Sequence, residues 1–261
     1  MSLGKITPIV LTLDEAPNIG RTLATLSWAR RVVVVDSGSK DRTKDVASSF
    51  PNVAWFEHPF DDHGQQWAYA AHQTVVDTPF ILALDADMPV PADLREELAA
   101  LMEREDLAGA VIPFRYCIAG HPLWGSVYPA QLRLVDVNRT TFGQVGHKHM
   151  FQAQGPIAVC RARLLHDDRK PLERFMASQL SYSTLEAKRL VSSGRPGLKT
   201  WLRLHLPGWP ALVCLLAYVR AGGPLCGAAA RRYALERLLF EVALRCRLID
   251  RALESQPPTS A

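Results

Sequence analysis

Residues 80–94 read FILALDADMPVPADL, and the order of apolar and acidic residues in this stretch decides the fold. Its first five residues are all apolar and follow Pro79, which is typical of an inner strand of a parallel sheet. Side chains two positions apart on a strand point the same way, so Asp85 and Asp87 are expected to project together from its carboxyl end. Two adjacent carboxylates repel each other unless a positive charge lies between them. They therefore either bind a cation or are solvated acids ahead of the next helix.

The segments on either side of this strand alternate between strand and helix patterns. Apolar runs that predict strands begin near residues 6, 31, 52, 80 and 108, and stretches with helical spacing separate them. This alternation predicts an α/β fold with right-handed crossovers and a mainly parallel sheet flanked by helices. Such sheets bind ligands at the carboxyl ends of their strands. Here those ends carry a polar set: Asp14, Glu15, Asp36, Ser37, Ser39, Asp85 and Asp87.

Composition narrows the class of protein. The chain has 261 residues and a formal net charge of +4, without a basic cluster interleaved with aromatics in its first half, so nucleic acid is not an expected partner. Its five cysteines are odd in number and form no CxxC pair. This pattern argues against a zinc site or a disulfide framework and favours a reducing cytoplasm. The amino terminus has the pattern of a first strand rather than that of a signal peptide.

Three segments together resemble the inverting family 2 glycosyltransferases, which have the GT-A fold. PIVLTLDEAPNIGRTLATL at residues 8–26 is similar to the opening strand and Thr-x-Asn/Asp-Glu turn of that family. VVVVDSGSKDRTKDVA at residues 32–47 resembles its second element, and LALDADMPV at residues 82–90 resembles its Asp-x-Asp strand end. The resemblance covers about residues 5–115 and weakens beyond them. The nearest likeness is to bacterial envelope enzymes that modify lipopolysaccharide core or similar lipid-linked glycans.

The resemblance implies roles for the polar residues at the strand ends. Thr12 and Glu15 match positions that line the base and ribose of the nucleotide, and Asp36 matches the residue that reads the base edge. Ser39 is a further nucleotide-sugar candidate, although with Asp41 and Thr43 it also fits a turn and helix N-cap. Asp85 and Asp87 match the metal pair and Asp85 also contacts the donor, so the implied cofactor is Mg²⁺ or Mn²⁺. The implied donor is a nucleotide-diphospho-sugar, with UDP as the default nucleotide.

Two segments compete for the catalytic base that a single-displacement transfer needs. The segment HDDRKP at residues 166–171 offers Asp167 and Asp168 as bases, and it offers Arg169 and Lys170 as a clamp for the diphosphate. The same segment also fits a solvated helix start whose acids favour the helix dipole. The segment GHKHM at residues 146–150 offers His147 and His149. We expect Asp168 or Asp167 to be the base, and we keep His149 as a candidate metal ligand.

The domain prediction follows from changes in pattern along the chain. Residues 1–194 are predicted to form the GT-A domain, with a nucleotide-sugar-binding half at 1–116 and an acceptor and catalytic half at 117–194. Within the second half, a long helix after Pro171 is predicted to end at Gly194. Residues 195–253 are predicted to be a basic amphipathic helical extension, and residues 254–261 a flexible tail. Between residues 195 and 251 ten lysines and arginines stand against three acids.

The extension indicates where the protein works. Its longest uncharged run is too short to span a bilayer, whereas basic helices rich in Trp and Leu are typical of interfacial membrane contact. We therefore expect a peripheral protein on the cytoplasmic face of the inner membrane, acting on a glycan or lipid-linked acceptor. The alternatives are a helical packing or dimerisation element for the extension. For the whole chain they are a nucleotidyltransferase or a non-catalytic sugar-nucleotide-binding or scaffold protein.

Overall fold

The computed structural model describes residues 2–145, 148–192 and 198–254. The chain divides into two compact units. The first contains Met1–Pro122 and Tyr128–Lys170, and the second contains Leu123–Val127 and Pro171–Ala261. The predicted domain end at residue 194 lies outside the described residues.

A seven-stranded sheet forms the centre of the first unit. Its spatial order is β11-β5-β8-β4-β1-β2-β3. The strands are β1 Ile6–Thr12, β2 Val32–Asp36, β3 Val53–Glu57, β4 Phe80–Asp85, β5 Gly109–Ile112, β8 Gln131–Asp136 and β11 Ile157–Val159. Strands β1 to β4 pair in parallel, as do β5 and β11, whereas β8 runs antiparallel to both β4 and β5. The mainly parallel α/β fold expected from the sequence is confirmed.

The central strands are buried on both faces, which explains their unbroken apolar runs. In β2, Val32 and Val34 pack into one core cluster, while Val33 and Val35 pack into another on the opposite face. Four helices connect the strands: α1 Ile19–Ala24, α2 Thr43–Ser48, α3 His63–His72 and α4 Ala92–Leu101. Because side chains alternate along each strand, both faces need a helical layer, and the four crossovers supply it.

The predicted fifth strand is interrupted in the structure. The run AGAVIPFRY at residues 108–116 predicts one strand, but β5 ends at Ile112 and a second strand, β6 Phe114–Ile118, begins after Pro113. Proline has no backbone N–H to donate to a ladder, so the pairing partner changes at this point. Strand β6 pairs antiparallel with β7 His121–Pro122 and parallel with β12 Leu164–His166. Strands β9 Thr140–Val145 and β10 Lys148–Ala153 form an antiparallel pair.

The second unit consists of helices. These are α5 Leu172–Ser192, α6 Leu198–His205, α7 Trp209–Arg220 and α8 Gly227–Glu254. Arg203 binds both carboxylate oxygens of Glu241 at 2.6 and 2.8 Å and lies 3.1 Å from Glu186, so charge pairs link α5, α6 and α8. The short segment Leu123–Val127 joins this unit because Tyr233 Oη accepts a bond from the Val127 N–H at 2.8 Å.

Within the described residues, no single helix is long and apolar enough to cross a membrane. The segments Trp209–Arg220 and Gly223–Arg251 are long and apolar enough only when taken together, and the chain bends by 70° at the break between them.

Candidate active site

The turn after β1 is held by the loop after β2. Asp14 has a φ of 51°, a left-handed conformation that few residues other than glycine adopt. Its backbone N–H donates to Ser39 Oγ at 2.6 Å, and the N–H of Glu15 donates to Thr43 Oγ1 at 2.7 Å. The hydroxyl of Thr12 is buried without a hydrogen-bond partner among the described residues. The two loops therefore bring Glu15 and Ser39 to one edge of the sheet.

Asp36 organises the loop that follows β2. Its Oδ2 accepts bonds from the N–H groups of Gly38 at 3.0 Å and Ser39 at 2.8 Å, and its Oδ1 accepts from Ser39 Oγ. A buried glutamine supports the same loop, since Gln66 Nε2 donates to Ser37 Oγ at 3.1 Å. Asp36 is thus fixed in direction; its Oδ2 already accepts two bonds, and its Oδ1 has a second lone pair for a ligand.

Asp85 ends β4 and pairs with a buried arginine. Its Oδ2 lies 3.2 Å from Nη2 of Arg133, whose side chain has no exposed surface, whereas that of Asp85 is 41% exposed. Arg133 also donates to Gln131 Oε1 at 2.8 Å and to the Ala83 carbonyl at 3.3 Å, and its guanidinium lies over the Phe114 ring. Strand β8 thus delivers a fixed positive charge beneath the first aspartate of the pair.

Asp87 is buried beside a histidine. Its Oδ2 lies 3.4 Å from His166 Nε2, and its backbone carbonyl accepts a bond from the Asp167 N–H at 3.0 Å. Burial raises the pKa of Asp87, and the charges of His166 and Lys170 partly offset this effect. Its Oδ1 is buried and has no hydrogen-bond partner among the described residues.

The carboxylate oxygens of this region fit a hard divalent cation. An unpartnered, buried carboxylate oxygen is costly unless a cation or a proton satisfies it, and carboxylate oxygens are what Mg²⁺ and Mn²⁺ prefer. No group of three or more His, Cys, Asp or Glu side chains in the described part of the chain is arranged to hold a metal. Asp85 and Asp87 are the described carboxylates at the end of β4 that could hold such a cation.

The two acids of the HDDRKP segment have different surroundings. Asp167 is buried, and its Oδ2 binds Arg21 at 2.7 Å and Arg169 Nε at 2.9 Å, while its Oδ1 accepts from the Gly120 N–H at 2.9 Å. Asp168 is partly exposed; its Oδ1 accepts from the Lys170 N–H at 3.0 Å, and its Oδ2 lies 3.3 Å from Lys170 Nζ. Both oxygens of Asp167 thus serve internal bonds, whereas Asp168 faces a cation in a partly open site.

Gly120 makes room for one of these arginines. It has a φ of 84°, and a side chain there would lie 2.6 Å from Arg169 Nη2. Both observations favour glycine at this position.

Lys170 lies between three carboxylates. Its Nζ is 2.5 Å from Glu15 Oε1. Burial raises the pKa of Glu15 to about 7, although the neighbouring Lys170 lowers it. Burial also lowers the pKa of Lys170, but the carboxylates of Glu15, Asp87 and Asp168 outweigh burial and raise it overall. The HDDRKP segment and the β1 turn therefore form one electrostatic cluster.

The histidine candidates of residues 146–150 lie outside this description. His147 is outside the described residues. His149 belongs to β10, but its side chain is also outside them.

Several buried or half-buried residues at the site were not identified from the sequence. Arg133 could have been identified, because it is a charged residue inside the apolar strand QLRLVD. No sequence pattern marks Asn18, Arg21 or Gln66, because the partners cited for them lie far along the chain or in a separate loop.

A GT-A-type sheet that carries carboxylates at the ends of β1, β2 and β4 defines a nucleotide-sugar transferase class. Residues 7–167 match the family described as Glycosyl transferase family 2, and the chain belongs to this family. The fold class and the enzyme class expected from the motifs are thereby confirmed. Family membership also favours a glycosyltransferase over the nucleotidyltransferase and scaffold alternatives.

Two relatives extend the comparison over most of the chain. Lipopolysaccharide core biosynthesis glycosyltransferase LpsC of Rhizobium meliloti (strain 1021) is 25% identical over 269 residues, which cover 97% of this chain and 95% of that protein. The crystal structure of S. aureus TarS 1-349 in complex with UDP-GlcNAc has a TM-score of 0.50 and 13% identity, with coverage of 96% of this chain and 92% of that one. The structural likeness shows the fold.

Proposed function

We propose that this enzyme moves a sugar, with inversion, from a nucleotide-diphosphate donor to a cell-envelope acceptor, and that a divalent cation assists the transfer. The observation that carries the proposal is the unpartnered, buried Oδ1 of Asp87 at the end of β4. The name of LpsC supports lipopolysaccharide core as the acceptor class. The UDP-GlcNAc complex of TarS is consistent with UDP as the nucleotide.

The donor is proposed to lie along the ends of β1, β2 and β4. The turn after β1 and the loop after β2 are hydrogen-bonded to each other, and we propose that together they bind the nucleoside. The residues proposed to contact it are Thr12, Glu15, Asp36 and Ser39. Asp85 is proposed for the sugar-nucleotide, with its direction fixed by Arg133.

Asp87 is proposed as the principal protein ligand of Mg²⁺ or Mn²⁺, with Asp85 and His149 as further candidates. The bound cation would neutralise the charge that develops on the leaving diphosphate. Arg169 and Lys170 remain candidates for the diphosphate. Their own partners in this structure are Asp167 for the first and Glu15 with Asp168 for the second.

Of the two base candidates, the geometry favours Asp168. Asp167 uses both oxygens in internal bonds, whereas Asp168 has a partly exposed carboxylate whose Oδ2 faces Lys170 at 3.3 Å. In the proposed step Asp168 accepts the proton of the acceptor hydroxyl. The hydroxyl oxygen then forms a bond to the anomeric carbon as the bond to the diphosphate breaks.

The experiment that tests this function has two stages. A thermal-shift panel of nucleoside diphosphates and their sugars, with and without Mn²⁺, identifies the donor, because a ligand that binds the native state stabilises it. Release of the nucleoside diphosphate is then measured with deacylated lipopolysaccharide core as acceptor. Stabilisation by a donor that remains intact with every acceptor would contradict the transferase reaction.

The second unit is proposed to attach the enzyme to the inner membrane from the cytoplasmic side. Helix α7 carries an exposed face, here called the α7 stripe, formed by Leu212, Leu215, Leu216 and Val219. These residues are 45–64% exposed and recur at helical spacing on one face. Trp124 is 64% exposed. Its ring lies beside Gly222, shortly after α7, where an added β-carbon would be 3.1 Å from the ring.

Charge favours anionic lipid as the occupant of this face. Residues 187–235 contain no aspartate or glutamate and eight lysines and arginines. Each basic residue near an anionic bilayer contributes about 1 kcal/mol of attraction, and exposed leucines with a tryptophan are typical of interfacial contact. The five cysteines, which are free thiols, fit the reducing side of the membrane.

A further inference from the structure

Asn18 occupies the N-cap position of α1, but its side chain does not cap that helix. Asparagine is favoured at N-caps because its side-chain oxygen accepts a bond from the first turn, and this asparagine makes no such bond. The residue is completely buried. Its side chain therefore serves something other than its own helix.

All four hydrogen-bonding sites of the Asn18 amide are in use. Its Nδ2 donates to Glu15 Oε2 at 2.7 Å and to Asp168 Oδ1 at 2.9 Å. Its Oδ1 accepts from Arg21 Nη2 at 2.7 Å and from the Arg169 N–H at 2.9 Å. An amide has two donors and two lone pairs, so this set saturates it and permits only one orientation.

These bonds join two acids that would otherwise repel each other. Glu15 belongs to the β1 turn, and Asp168 lies about 150 residues further along the chain. Lys170 neutralises both acids, but an ammonium group is a point charge and does not set the direction of a carboxylate. The planar amide of Asn18 does set it. With Oδ1 of Asp168 held by Asn18 and the Lys170 N–H, Oδ2 is the oxygen left for proton transfer.

We infer that Asn18 is a positioning residue for the transfer reaction. It holds the Asp168 carboxylate in a fixed direction and couples that direction to Glu15 on the donor side. The inference rests on the proposed function, in which Asp168 is the base. Small errors in the direction of a catalytic group cost large factors in rate, so a residue that sets this direction affects turnover more than donor binding.

The test is a double-mutant cycle of Asn18→Ala and Asp168→Asn in the full chain. The readouts are UDP release from UDP-GlcNAc, with water and with deacylated lipopolysaccharide core as acceptors, the Kd for UDP by calorimetry, and the melting temperature. We expect Asn18→Ala to lower kcat by about 10- to 100-fold and to change the Kd for UDP by less than about 3-fold. In the Asp168→Asn background the same change should lower kcat no further, because residues that act as a unit are not additive.

Asn52 provides a matched control. It is an asparagine of the same unit whose amide donates to the carbonyls of Leu26 at 3.1 Å and Ala29 at 3.0 Å. Asn52→Ala should lower the melting temperature. It should leave kcat unchanged, both in the unaltered chain and in the Asp168→Asn background. If Asn18→Ala does not fold, Asn18→Ser replaces it in the cycle.

Each outcome decides the inference. An equal loss of kcat from Asn18→Ala in both backgrounds, or a loss of melting temperature alone, overturns the role of Asn18 and leaves Asp168 as the base. Full transfer by Asp168→Asn overturns the base assignment, and the positioning role falls with it.

Discussion

Arg133 and Asp85 form an ion pair in which only the aspartate reaches solvent. The guanidinium is fully buried within the sheet, and the 3.2 Å contact with Oδ2 fixes the carboxylate at the end of β4. The pair therefore links the buried core to the proposed donor site.

We expect Arg133→Met to separate the contribution of this ion pair to stability from its contribution to donor binding. Asp85 remains partly solvated when its partner is lost, so the free energy of unfolding should fall by less than about 2 kcal/mol. The Kd for the nucleotide sugar should rise by about 10-fold, because Asp85 is no longer held. Urea unfolding and calorimetry measure the two effects. Arg104→Met is the control, since Arg104 forms an exposed pair with Asp106. An unchanged Kd would contradict the role given to Arg133.

Asp87→Asn should abolish turnover without unfolding the protein. The substitution preserves shape and removes a carboxylate whose burial is unfavourable, so the melting temperature should stay the same or rise. We expect kcat to fall by at least about 100-fold, because the bound cation is worth several kcal/mol in the transition state. Excess EDTA should cause a similar, reversible loss. Asp93→Asn, a nearby acid in the first turn of α4, should be active. Full activity in EDTA would rule out the metal role.

Asp36→Ala should weaken binding of the nucleoside diphosphate even when no sugar is present. The proposed contact is to the base, and losing one charge-assisted bond raises Kd by about 10-fold or more. Because Asp36 also holds its own loop, Asp41→Ala serves as the control: Asp41 Oδ1 accepts from the Thr43 N–H at 2.9 Å in the same region. Equal effects of the two substitutions on calorimetric Kd would assign Asp36 to loop structure alone.

The two acids of the HDDRKP segment should differ when each is replaced. Asp168→Asn should lower kcat by about 100-fold or more with little change in donor Kd. Asp167→Asn should mainly reduce the free energy of unfolding, by about 1–3 kcal/mol, because Arg21 and Arg169 lose a charged acceptor. Steady-state kinetics and urea unfolding measure the contrast. Loss of donor affinity alone in Asp168→Asn would favour a diphosphate clamp formed by the basic residues of the HDDRKP segment.

Replacing two residues of the α7 stripe with serine, Leu215→Ser and Val219→Ser, should release the protein from vesicles at high salt. Electrostatic attraction is screened under these conditions, so the apolar contact carries the remaining binding. Co-sedimentation with anionic and neutral liposomes at low and high salt measures this. Val75→Ser, an exposed valine of the first unit, is the control. If the unaltered chain stays in the supernatant with anionic liposomes at low salt, a packing or dimerisation role replaces membrane contact.

The order of strands and helices through α4 was predictable because each central strand is buried on both faces. That burial demands unbroken apolar runs, and such runs are visible without any knowledge of partners. The break at Pro113 was not predicted, since the runs on both sides of the proline contain residues that favour strands and only the pairing of β6 with β12 separates them.

The sequence by itself determined the family, the mainly parallel sheet and the acids at the strand ends, because these depend on local patterns and short motifs. Only the tertiary structure decided which polar groups meet. Asn18 contacts Asp168, Lys170 contacts Glu15, and Arg133 contacts Asp85 across separations of 48 to 155 residues. Such contacts depend on where β8 joins the central sheet and on the pairing of β12 with β6, and no local pattern records either. The distinction between Asp167 and Asp168 has the same origin: the two are adjacent in sequence, and only their distant partners differ.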